Sequence, residues 1–553
     1  MMEVVGDVLL PYMLAKIINQ GIAEKNVAYI IKIGAIMGLI SVIMAVGGVL
    51  GAWFASKAAM NFGADLRMDL FEKIQQFSFQ NIDNFSTGSL ITRLTNDITQ
   101  IQNMIMMTLR MCLRSPGILI GAMVMAFVIS PKLAAIFIIV LPVLAVLIVV
   151  IMRRAFPQFR TLQEKLDALN SCIQEGLVGI RLIKSFVRGD YEEMRFEKRN
   201  QQLKEANLTA MKTMLLYTPL MTLALNITTV VVVWSGGNMI VAGNMQVGDL
   251  TAFTNYIVQI MSSLTMLSIA FLNWARAIAS FRRVGEVLDE EIDLTDENAK
   301  HKDRAVCEGS VEFQNVSFRY YKNSPEWVIE NISFKLEAGK TLGIIGSTGS
   351  GKSTLVSMIP RLYDTDEGTV LVDGINVRDY GLKPLREGIG MVLQNNTLFS
   401  GSITENLKWG DEHADEKAVR KAAQNAQAAG FIDSFKDGYR TRLEQSGNNV
   451  SGGQKQRLCI ARALLKCPKI LILDDSTSAV DTATERAIRE ALHSEYKDMT
   501  KIIIAQRIRS VMDADEILVL DNGKTAGFGT HEQLLADCPV YREIYDVQNG
   551  REE

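Results

Sequence analysis

The stretch Gly346-Ser347-Thr348-Gly349-Ser350-Gly351-Lys352-Ser353 decides the fold of this chain. It follows an apolar run, Thr341 to Ile345, that reads as a strand, and it opens a helical stretch from Lys352 to Met358. Strand, glycine-rich loop and helix in that order are what a phosphate-binding loop requires. Gly346 and Gly351 permit a tight wrap that turns consecutive backbone N–H groups toward β- and γ-phosphates. Lys352 supplies a point charge, the helix start adds its dipole, and the Ser353 hydroxyl can ligate Mg²⁺, with Thr354 beside it. The spacing predicts that the chain binds a nucleoside triphosphate.

Upstream of that loop the composition changes sharply near Asp289. Earlier residues fall in long apolar runs; later ones are mixed, charged and globular. The runs Ile30 to Phe54, Ile118 to Ile129, Leu133 to Met152, Met214 to Trp234 and Leu250 to Leu272 approach or reach the ~20 residues that cross a bilayer. Met1 to Ile18 is a further candidate, but it is short and carries Glu3 and Asp7, so it reads as the outer part of a first helix. It lacks the basic start and small-residue cleavage site of a signal peptide. Residues 1–288 are therefore expected to form a membrane domain, 289–306 a charged linker, and 307–553 a nucleotide-binding domain.

Orientation follows from the loops. Ser130-Pro131-Lys132 and Gly236 to Gly248 are short and carry little charge, whereas Lys57 to Arg114 and Arg153 to Lys212 are long and rich in Arg and Lys. The excess of positive charge places the long segments, and the nucleotide-binding half with them, in the cytoplasm. These excursions keep helical patterning, as in Phe159 to Glu175 and Glu192 to Lys212. Short interruptions sit at their far ends, Asp83 to Gly88 and Gly179 to Gly189. Helices that project so far need something to touch, and the nucleotide-binding domain is the expected partner. The net charge of −3 gives no reason to expect nucleic acid. The six cysteines are scattered without metal-ligand spacing, which predicts reduced thiols.

Further signals surround the loop. Tyr320 ends a predicted strand and offers a ring that can stack on adenine. Gln394 follows the strand-like Gly390 to Leu393 and could reach Mg²⁺ or water. Ile470-Leu471-Ile472-Leu473-Asp474 describes a buried parallel strand that delivers a carboxylate to a metal at its C-terminal end. Ser451-Gly452-Gly453-Gln454 opens a helix, with Ser451 as its N-cap and the glycines exposing N–H groups to an anion.

Taken together, these residues resemble an ATP-binding cassette exporter along essentially the whole chain. The resemblance implies an all-α transmembrane domain of six-helix exporter type fused to an α/β P-loop nucleotide-binding domain. It implies a half-transporter that works only as a dimer, with Mg²⁺ and ATP held between one subunit's phosphate loop and the other's Ser451-type signature. Ser353, Gln394 and Asp474 are then the metal positions, and Asp481 lies in the segment Ser478 to Asp481 that resembles the D-loop. Phe85 to Asp97 and Ile180 to Phe186 resemble the coupling-helix regions.

Two positions depart from the pattern. Asp475 stands where the family has a Glu that acts as general base, and Gln506 where it has a His. Gln445 also replaces the usual Glu of its loop. Because Asp475 and Gln506 belong to one composite site, they point to a degenerate ATP site in a heterodimer whose second subunit is similar but not identical. The resemblance is to the degenerate subunit of bacterial heterodimeric multidrug exporters, multi-pass in the cytoplasmic membrane. Thr251, Asn255, Gln259 and Ser262 form a polar stripe in the last span; with Asn226 and the Arg110/Arg114 pair they are the candidate cavity residues. A small amphipathic substrate fits that reading. A lipid exporter and a membrane-anchored ATP-binding regulator remain open beside it.

Overall fold

The computed structural model describes residues 2–322 and 324–549, with the side chains at 271–273, 275, 276 and 549 left aside. Met1, at the start of the first candidate run, and the side chain of Leu272, at the end of the last, lie outside the described residues. The chain divides into two compact units, Met1–Ile74 with Gly88–Asp289 and Gln75–Thr87 with Glu290–Glu553.

The first unit is helical because its sequence offers long apolar runs with few breakers. Five helical spans among the described residues are long and apolar enough to cross a membrane: Val27–Gln75, Thr87–Ile129, Pro131–Val178, Gly189–Val241 and Val247–Ala270. Of the six expected spans the first is not among these five: the helix Met2–Lys16 runs on through Ile17–Ile22, but Glu3, Asp7 and Lys16 interrupt its apolar character. Several helices run well past the membrane. Pro131–Val178 has 48 residues, which is about 72 Å at 1.5 Å per residue, more than twice a hydrocarbon core of ~30 Å. Ser130 caps it by accepting from Leu133 N, with Pro131 in the first turn, where a missing N–H costs nothing. Ile31, Leu39, Val46 and Val49 stay exposed along Val27–Gln75, a surface suited to lipid tails rather than water. Inside the unit Phe137 stacks on Phe253 with centroids 5.5 Å apart. Near its cytoplasmic side Asp97, 2% exposed, accepts from Ser280 at 2.9 Å and from Arg283 Nε at 2.8 Å.

In the second unit a short helix, Phe79–Asn84, precedes Phe85 to Asp97, the stretch whose sequence resembles a coupling-helix region. Ser78 and Asn81 close a capping box there. Within this unit the Tyr363 hydroxyl donates to Asp83 at 2.8 Å, and Asn81 donates to Glu290 and to the carbonyl of Glu291. An aspartate in a polar stretch reads as a turn; only the fold reveals its tyrosine. The stretch 290–310 has no helix or strand, yet it is not a solvated tether. Leu294 and Val306 are buried, and Asp296 accepts from Leu382 N at 3.1 Å.

Two larger sheets, beside a two-stranded one of Gly401–Ser402 and Arg442–Leu443, organise the rest. One runs Ile329–Leu336, Val311–Phe318, Glu367–Val372, Ile375–Asn376, all antiparallel. The other has six strands in the order Lys524–Gly529, Glu516–Asp521, Thr341–Gly346, Thr500–Ile504, Ile470–Asp474, Ile389–Val392. Every neighbouring pair is parallel except the first, Lys524–Gly529 with Glu516–Asp521, which is antiparallel. Ile470–Asp474 is buried at every position, as a run of four apolar residues in a parallel sheet predicts. The register pairs Ile504 with both Ile344 and Asp474, so three strands deliver their C-terminal ends side by side.

Candidate functional site

That register gathers residues more than a hundred positions apart into one cleft of about 310 Å³. Tyr320, Thr348, Gly349, Gly351, Lys352, Ser353, Thr354, Gln394, Asp474, Asp475 and Gln506 line it, together with Val328 and Ile504. Gly346, Ser347 and Ser350 form the back of the loop. Gly351 sits at φ 89°, and a Cβ there would meet Ile329 at 2.6 Å and the Val328 carbonyl at 2.9 Å. Only glycine fits that turn.

Lys352 folds onto its own loop, donating to the carbonyls of Gly346 at 2.9 Å and Ser347 at 2.6 Å. Burial pulls its ammonium below the ordinary lysine range, against the opposing pull of Asp474 and Asp475. Ser353 donates to Asp474 at 3.0 Å. Burial pushes the Asp474 carboxyl up, opposed by that hydroxyl and by Lys352. A hydroxyl and a carboxylate held this close form a hard oxygen pair of the kind Mg²⁺ takes, so the residues present fit the metal. Bound between them, the ion would neutralise phosphate charge. Gln394 lines the same cleft and is exposed. The Tyr320 hydroxyl shares a 2.9 Å hydrogen bond with Thr354, and its ring, 37% exposed, meets Tyr363 edge-on at 5.3 Å. Tyr363 gave no sequence signal, although it anchors this aromatic corner.

Asp475 adopts φ 45°, a left-handed conformation that costs an aspartate energy. Its N–H donates to the Ile504 carbonyl at 3.1 Å, and its carboxylate accepts from the Gln506 amide at 2.9 Å. Burial raises the Asp475 carboxyl, partly offset by Gln506, Lys352 and Arg507. The two unusual positions thus hold each other.

Ser451, Gly452, Gly453 and Gln454 do not line this cleft. They open the helix Gly452–Leu465 through a reciprocal cap: Gln454 N donates to the Ser451 hydroxyl and Ser451 N to the Gln454 side chain. Asp481 caps the next helix, Thr482–Glu495, accepting from Thr484 N at 3.0 Å, and that bond lowers its carboxyl. The expected cavity stripe is engaged within the helices. Thr251 and Asn255 bond to carbonyls one turn back, and Gln259 donates to the Asp7 carbonyl at 2.7 Å. Arg114 pairs with Glu3 and Asp7. Asn226 and Arg110 are exposed.

Residues 1–264 match the ABC transporter transmembrane region and residues 329–478 the ABC transporter family. Over 550 residues the chain is 40% identical to the uncharacterized ABC transporter ATP-binding protein YfiB of Bacillus subtilis (strain 168), spanning 100% of this chain and 95% of that one. The chain belongs to the ABC transporters. A second Bacillus subtilis relative, 35% identical with 90% of this chain and 85% of that one covered, bears the provisional name multidrug export ATP-binding/permease protein YgaD. The structure of a bacterial Atm1-family ABC exporter with ATP bound superposes with a TM-score of 0.82, at 25% identity, over 99% of this chain and 96% of that one. This ABC exporter is a multi-pass membrane protein whose cytoplasmic ATPase domain binds ATP and drives transport. All six cysteines lie among the described residues and are free thiols there.

Proposed function

We propose that this ABC exporter works as one half of a heterodimer that expels small amphipathic or hydrophobic molecules, and that its own ATP site is the degenerate one. The observation that carries this is the hydrogen bond from Gln506 to Asp475. A general base must lie within hydrogen-bond reach of its water. Asp475 is a methylene shorter than glutamate, and one of its oxygens is already committed to an amide. Gln506 donates a hydrogen bond but holds no proton charge near neutral pH. The provisional multidrug name of YgaD supports the substrate class.

On this reading residues 1–288 form the membrane domain, 289–306 the linker and 307–553 the nucleotide domain. The phosphate loop from Gly346 to Ser353 holds the β- and γ-phosphates, Lys352 its charge, Tyr320 the adenine. Ser353, Asp474 and Gln394 serve Mg²⁺. Ser451 to Gln454 face the partner's ATP, and Asp481 sits at the same junction. The test is turnover of the co-purified pair. Asp475→Ala should cost little, whereas removing the partner's catalytic glutamate should abolish hydrolysis. Equal damage from both changes would sink the degenerate-site reading.

A further inference from the structure

The nucleotide unit holds a second, larger cleft of about 650 Å³, away from the phosphate loop. It lies between the helix Thr482–Glu495 and the sheet, whose strand Thr500–Ile504 turns Lys501 and Ile503 to that face. Lys501 pairs in register with Thr341, which also lines the cleft.

Lys501 is only 5% exposed, and among the described residues no hydrogen bond or ion pair reaches its ammonium. The nearby Asp515 is committed to Lys340 and to Thr341 N. A second donor is also unmatched: the Nε of Arg489 is buried without a partner, while its Nη1 donates to the Arg509 carbonyl at 2.6 Å and to Asp513 at 3.3 Å. Lys501, Arg486, Arg489 and Arg509 bring four cations to the lining, against the two carboxylates of Glu490 and Asp513. Both carboxylates are already paired, with Arg486 and Arg489 respectively. Burying a guanidinium N–H without an acceptor is unfavourable unless a ligand supplies one, and the Lys501 ammonium opens on the same cleft. Leu492 and Met512 give the same cleft an apolar wall.

We propose that this cleft is a second anion site of the nucleotide unit, taking a phosphate-bearing molecule whose oxygens accept from Lys501 and Arg489 and whose apolar part lies against Leu492 and Met512. Binding is measured by equilibrium dialysis on the full chain in lipid nanodiscs. The Lys352→Ala background removes phosphate-loop binding, and the probes are pyrophosphate, ADP and dihexanoyl phosphatidic acid. At least one probe should bind saturably at one per chain. Lys501→Met and Arg489→Gln should each weaken it about tenfold or more, the loss expected for a charge-assisted hydrogen bond. Arg489→Gln changes a residue near the surface and keeps the test alive if Lys501→Met fails to fold. Tightest binding of ADP assigns a nucleotide, of phosphatidic acid a lipid headgroup, and equal affinities the phosphate group alone; each supports the site. No saturable binding of any probe, or affinities that both variants leave unchanged, would overturn it. Residual loop binding in Lys352→Ala would count against the phosphate-loop assignment instead, because the Lys501 and Arg489 effects are differences within one background.

Discussion

Asp474 concentrates the conflict between stability and function at the scale of a residue. Burial raises its carboxyl above the ordinary 3.8, with Ser353 as its hydrogen-bond donor. A carboxylate raised on folding binds its proton more tightly in the folded chain than in the unfolded one. Its contribution is therefore most favourable below the unfolded pKa and is lost as pH rises through the folded value. Asn keeps an acceptor for Ser353 and removes the charge. Asp474→Asn should accordingly raise the thermal midpoint of the nucleotide-free protein by a few degrees at neutral pH and sharply weaken Mg²⁺-dependent ATP binding. The stability gain should shrink as the pH falls toward 3.8. Differential scanning fluorimetry across pH, beside nucleotide binding with and without Mg²⁺, reads both; a gain that grows on acidification would refute the burial argument. Asp475 was legible as an unusual residue, but its left-handed backbone and its bond to Gln506 were not. Both depend on which strands lie side by side.

On the proposed function, the element that bears most on turnover is the helix Gly452–Leu465. Its start was readable in sequence because Ser451 and Gln454 stand three apart, the spacing of a reciprocal cap. Why Gly453 must be small was not readable: a Cβ there would meet the Ala479 carbonyl at 2.8 Å, a contact made by a segment beyond the next strand. Gln456 adds to that junction by accepting from Ala479 N at 3.0 Å. Ser451 thus has a structural duty besides the one proposed toward the partner's ATP, and one substitution separates them. Aspartate caps a helix about as well as serine, so Ser451→Asp should leave stability within about 0.5 kcal/mol. Its charge would repel the γ-phosphate and displace the hydroxyl donor, and losing one such donor costs about 10²–10³ in rate. Chemical denaturation and steady-state ATP hydrolysis of the heterodimer measure the two effects. Undiminished turnover would mean that this helix start faces no ATP. Other elements escaped the sequence for a plain reason. The 290–310 stretch reads as solvated because it is charged, yet Leu294 and Asp296 tie it down. The helix Phe79–Asn84 is too short to carry periodicity.

For the whole molecule, the fused membrane and ATPase units were legible because apolar runs and the phosphate loop are local signals. The number of different subunits in the working exporter is not local, and it rests here on Asp475 and Gln506. If those residues make a weak site, two copies of this chain carry two weak sites, whereas a pair with a non-identical partner carries one competent site completed by this chain's Ser451. General-base catalysis typically supplies about 10²–10⁴ in rate, so the chain alone should hydrolyse ATP about 10²-fold or more slowly than the pair. In proteoliposomes only the pair should then drive ATP-dependent uptake of an amphipathic dye into inside-out vesicles. Restoring Asp475→Glu together with Gln506→His in the chain alone should recover part of the lost hydrolysis, since it lengthens the base and returns a titratable imidazole beside it. Comparable turnover by the unmodified chain alone and by the pair would show that Asp475 and Gln506 make a working site, and the heterodimer would no longer be required.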